Sequence, residues 1–125
     1  MKKLSLILTV LLAASSLSKV QGEQVVIREV MYHPPAGFHE FIEVENLTAT
    51  VFDIAQWRLR GAVDYDFPAY NSANHQDNFL KPWERIVICG VDPAAFRATY
   101  GLPDSVRVLG PWNGSLSNEG ERINL

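Results

Sequence analysis

Glu29, His33, His39, Glu40, Glu43 and Glu45 crowd one short stretch of the chain. Imidazole and carboxylate together suit zinc, manganese or iron. With Asp64 added, His33, His39 and Glu40 would be the parts of a metal-dependent hydrolase or nuclease. The spacing matches no helix-borne ligand motif, because Pro34 and Pro35 separate His33 from the acids. Strand faces in water plus a loop histidine are therefore the expected reading. Asp64-Tyr65-Asp66 offers two alternating carboxylates, a possible calcium contact, but lacks the Gly and following Glu of a calcium loop. His33, Glu40, Asp64 and Asp66 are thus only weak metal candidates, and no cofactor is expected, calcium being the alternative. Cys89 ends the run Ile86-Val87-Ile88-Cys89, where a buried, inert thiol is expected rather than a nucleophile. No Gly-x-Ser-x-Gly elbow and no phosphate loop occur, so no catalytic residue is assigned.

The aromatic residues suggest binding more than bond-making. Trp57 is expected in the core beside Leu59. Trp83 and Trp112 follow or sit in turns, and with Tyr70 or Tyr32 they would make a stacking platform for sugars or peptides. The competing expectation is that they plug the ends of the fold. Asn46-Leu47-Thr48 and Asn113-Gly114-Ser115 match the N-glycosylation pattern; a bacterial-looking leader argues that they go unused.

These side chains need elements to position them, and the chain reads mainly as strands. Val25 to Tyr32 is β-branched and apolar until Pro34 stops it. In Phe41-Ile42-Glu43-Val44-Glu45, Ile42 and Val44 point one way and the acids the other, as in an antiparallel strand with one dry face. Val51 to Ile54 and Trp57 to Arg60 follow. Arg85 to Cys89 is apolar after its first residue and predicts a mid-sheet strand, with Ile86 and Ile88 in the core. Val106 to Leu109 and Arg122 to Leu125 complete the set. One segment predicts a helix, near 93–100: Asp92 can cap it, Pro93 suits its first position, and Gly101 suits a left-handed end. Residues 69–78 read as a solvent loop.

Composition sets the class. The chain has 125 residues, 47% of them hydrophobic and 20% charged, enough for one soluble domain and too few for two. Residues 1–22 form a secretory signal: Lys2 and Lys3, then the apolar run Leu4–Ala14, then small residues, with a cut expected after Gly22. The run is shorter than the roughly 18 residues a membrane span needs, so no span is expected after cleavage. The expected location is secreted, periplasmic or at the cell surface. Losing Lys2, Lys3 and Lys19 would take the net charge from −3 to −6, so bulk charge argues against a nucleic-acid partner. A single cysteine cannot form an internal disulfide.

Five segments in order, VVIREVMYHPP, EFIEVENLT, DIAQWRLRGAVDYDFP, VDPAAFRATYGLP and VLGPWNGSLSNEGERINL, together resemble the bacterial lamin-tail domain over residues 24–125. The resemblance implies an all-β fold, an immunoglobulin-like antiparallel β-sandwich with one short helix. It also implies an accessory module of exported proteins that binds or scaffolds, with no catalytic residues to carry over. Two places depart from the pattern. The family often has Gly before the strand tryptophan, where this chain has Gln56, and a Pro-Gly turn before the long apolar strand, where it has Pro82-Trp83. The family also continues past the strand at Ile123, so one or more C-terminal strands are expected to be missing here. The chain is expected to be a non-catalytic interaction or architectural module for an unidentified protein or surface polymer, within a larger exported assembly or parent chain. Its surface would be exposed sheet edges or the loops around Trp83 and Trp112. The rivals are the metal-dependent hydrolase or nuclease, an accessory fragment of a larger exported enzyme, and a non-functional gene fragment.

Overall fold

A computed structural model of the chain describes residues 24–69 and 78–125. Residues 1–22, expected to be a signal, and Tyr70 lie outside the described residues. The chain forms β1 (Val25–Met31), β2 (Phe41–Asn46), β3 (Phe52–Asp53), β4 (Arg58–Gly61), β5 (Val63–Asp66), β6 (Phe79–Leu80), β7 (Arg85–Cys89), α1 (Pro93–Tyr100), β8 (Arg107–Leu109), β9 (Asn113–Gly114) and β10 (Ile123–Asn124).

The strands make one four-stranded sheet ordered β1-β2-β7-β8, a second ordered β10-β4-β5-β9, and a β3-β6 ribbon. Alternation dictates how the sheets face each other. Ile42 and Val44 of β2 and Ile86 and Ile88 of β7 point inward, where they meet Leu59 of β4 and Val63 of β5. All six are at most 1% exposed. Burying each such side chain contributes about 1.5–3 kcal/mol, so this seam holds the sandwich together. The fold is an all-β sandwich with one short helix.

One pairing departs from the antiparallel expectation. β8 runs parallel to β7, with Ile86 opposite Arg107 and Ile88 opposite Leu109. Parallel neighbours need a long crossover, and residues 90–106, with α1 among them, supply it. Asp92 accepts from Ala95 N–H at 3.0 Å at the helix start, and Gly101 (φ 61°) takes the left-handed end. The crossover lays α1 on the outer face of the first sheet. There Phe96, Val87, Cys89 and Val108 form a second buried cluster.

That cover changes the setting of the acids on β2. The alternation places Glu43 and Glu45 in water, yet both are mostly covered. Arg85 bridges them, at 3.5 Å from Glu43 and 3.2 Å from Glu45, and Arg28 adds a contact to Glu45 at 3.4 Å. The outer face is apolar at the helix and ionic beside it.

Candidate functional site

The two ends of the sandwich carry the exposed aromatic residues. β2 runs from Phe41 at one end to Asn46 at the other, and β7 runs back antiparallel, Arg85 beside Glu45 and Cys89 beside Phe41.

At the Asn46 end, the turn Lys81–Glu84 leads into β7. Glu84 N–H donates to the Lys81 carbonyl at 3.1 Å and the Glu84 carboxylate accepts from Lys81 N–H at 2.7 Å. Pro82 stands second in this turn and Trp83 third, with φ +60°. A type II turn has this pattern and gives the third position to glycine. A bulky side chain there costs about 1–2 kcal/mol. Trp83 is nevertheless 63% exposed, so little burial offsets the strain. Its N–H donates to the Thr48 carbonyl at 3.2 Å, which joins it to a loop carrying exposed Leu47 and Val51.

Asn46 holds both loops. It is fully buried, and its amide N–H groups donate to the carbonyls of Thr50 (2.7 Å), Lys81 (2.9 Å) and Leu80 (3.4 Å). Its Oδ1 accepts from the backbone and hydroxyl of Thr48, both at 2.9 Å. The glycosylation pattern had marked this residue, but the amide is buried and its hydrogen bonds are spoken for. Asn46 positions Trp83, a role that only the tertiary contacts to residues 80 and 81 reveal.

At the opposite end lies an open cavity of about 360 Å³, lined by Tyr32, His33, Phe38, Glu40, Trp112 and Asn118, among others. Of the two expectations for Trp112, the plug at a sandwich end is the one its burial matches. It is 5% exposed and belongs to the main core, so it forms cavity wall rather than a free platform. Two features seat it. Its N–H donates to the Cys89 carbonyl at 3.1 Å, and Gly90 lets the indole lie flat, since a Cβ there would sit 2.7 Å from Nε1. Trp57, expected in the core, is a correction. It stands in the turn before β4, half-buried and packed against the core from outside it.

Glu40 faces the cavity with Oε2 accepting from Leu116 N–H at 3.0 Å. His39 is held behind it. Its carbonyl accepts from the Tyr100 hydroxyl at 2.8 Å, and its ring nitrogen lies 3.4 Å from the Thr99 hydroxyl. Burial raises the Tyr100 hydroxyl above its ordinary pKa, with the bond to His39 opposing that shift.

His33, His39 and Glu40 therefore share one cavity wall, and Asp64 does not. Asp64 and Asp66 lie exposed on β5 beside the arginines of β4. Arg60 lies 3.8 Å from Asp64 and pairs closely with Asp66, and Arg58 lies 3.9 Å from Asp66. Among the described residues, no three His, Cys, Asp or Glu side chains come together in a way that could hold a metal ion. Cys89 is fully buried, and desolvation pushes its thiol pKa up; the Val91 carbonyl, which accepts from Sγ–H at 3.2 Å, acts against that shift. A thiol so placed is a poor nucleophile.

Comparison with known proteins gives no match to a family model, a curated protein or a solved structure. The lamin-tail resemblance rests on its own five segments.

Proposed function

We propose that this chain is a non-catalytic, exported interaction module of the lamin-tail kind, which engages a protein or surface polymer through its Trp83 end. The observation that carries the reading is Trp83 itself. A large, exposed aromatic side chain occupies a positive-φ position, and a buried asparagine fixes the loops around it. Strain kept without burial in return is a feature of binding sites, where an exposed, rigid aromatic supplies contact area at low entropic cost.

Backbone geometry also supports the resemblance. The lamin-tail pattern often has glycine where this chain has Gln56 and Trp83. Those two are the non-glycine residues with positive φ among the described residues, at 63° and 60°. A pattern drawn from sequence alone marks the two places where the backbone asks for glycine.

The test is retention of an exported protein or surface polymer on the immobilised chain, compared with Trp83→Ala and Glu40→Gln. We expect Trp83→Ala to lose the partner while Glu40→Gln, at the other end, keeps it. Undiminished retention by Trp83→Ala overturns the reading.

A further inference from the structure

We propose that the cavity at the Trp112 end is a second, independent binding site, and that its ligand is an aliphatic ammonium group. The charge of the lining points that way. Among the described residues around the cavity, Glu40 is the one Asp, Glu, Lys or Arg. Its Oε2 is fixed by Leu116 N–H, while Oε1 makes no hydrogen bond or ion pair among the described residues. Asp64 and Asp66 on β5 and the mostly covered Glu43 and Glu45 on β2, by contrast, have arginines beside them; Glu40 is set apart from the other acids by facing a cavity lined with aromatic rings. Glu40 is an oriented carboxylate with no Lys or Arg on the cavity wall, which it shares with the imidazoles of His33 and His39; pH 8 lies above the ordinary imidazole range, so the test is made there.

Aromatic residues complete the lining. Tyr32 is 52% exposed, Phe38 43% exposed, and Trp112 forms wall behind them. Phe38 is held in place: its N–H donates to the Pro35 carbonyl at 3.0 Å and its ring packs edge-on to Tyr100 at 5.0 Å. The faces of such rings carry negative potential, so they attract a cation as the carboxylate does. An anion is repelled by both. A purely apolar group would have to desolvate Glu40 with nothing in exchange. A substituted ammonium, with a charged centre and an apolar shell, satisfies both kinds of wall. That chemistry belongs equally to a quaternary head group and to a lysine side chain.

The experiment is titration of the full chain at pH 8 with choline, its neutral isostere 3,3-dimethylbutan-1-ol, Nα-acetyl-lysine amide and glucose, followed by calorimetry. We expect choline or the lysine amide to bind, the tighter of the two naming the source, and the neutral isostere to bind at least about tenfold more weakly. Glu40→Gln, which keeps an oxygen for Leu116 N–H, should weaken the cation about tenfold, and Tyr32→Ala, at an exposed position, about fivefold. Trp83→Ala should leave this binding unchanged, which separates this site from the one above. Equal binding of choline and its isostere overturns the proposal, as does glucose binding alone or binding by none of the four.

Discussion

At the Trp83 end, one buried amide makes five hydrogen bonds that pin two loops, and the aromatic ring it positions stands in solvent. At the other end Trp112 is itself buried in the core, and the groups beside it, Tyr32 and Glu40, open onto a cavity. Polar contacts organise the first end and packing the second. The lesson is that tryptophans in turns are not interchangeable. What decides their role is whether the neighbouring backbone leaves room, as Gly90 does for Trp112, or turns the side chain outward, as the positive φ does at Trp83.

Four measurements would break or sharpen that contrast. The largest effect should come from Trp112→Ala, which empties core volume and should cost about 3–5 kcal/mol in denaturant unfolding. Trp83→Ala should stay within about 0.5 kcal/mol, and equal costs would erase the distinction. Next is Asn46→Ala, which leaves the carbonyls of Thr50, Leu80 and Lys81 without their donor. We expect a loss of about 2–3 kcal/mol together with loss of Trp83-dependent binding. A cost below about 0.5 kcal/mol would show that the loops hold themselves.

Smaller, and opposite in sign, are Trp83→Gly and Gln56→Gly. Each relieves a positive φ and should stabilise by up to about 1 kcal/mol, less the added freedom of the unfolded glycine. Only Trp83→Gly should abolish partner binding. Destabilisation by both would mean that strain is not what these turns store. The smallest effect is with pH. The folded Cys89 thiol keeps its proton above the ordinary value of 9.0, and the Tyr100 hydroxyl above 10.0. Their contribution is complete below those values. As pH rises past 9, the unfolded chain ionises first and stability declines. Cys89→Ala should flatten the onset of that decline in pH-dependent unfolding, and an unchanged profile would remove the thiol from the account.

Much of this was legible in the residues. Alternation in Phe41–Glu45 and the apolar run in Ile86–Cys89 identify the strands that carry Ile42, Val44, Ile86 and Ile88 into the core. Asp92, Pro93 and Gly101 bound the helix at both ends. These signals are local: side-chain period and cap chemistry act within a few residues of chain. Pairing direction is not local. Nothing in Val106–Leu109 says that it runs parallel to β7, because that depends on where the crossover carries it.

The candidate site divides in the same way. Residue order alone determined most of the strands and the helix with its caps, because backbone preference and alternation are written one residue at a time. The tertiary structure decided that Trp112 is buried and Trp83 exposed, that Asn46 reaches across to residues 80 and 81, and that Glu40 meets Tyr32 at one cavity. Each of those depends on segments far apart in the chain coming together, and a periodic pattern carries no record of which distant neighbour will fill the space.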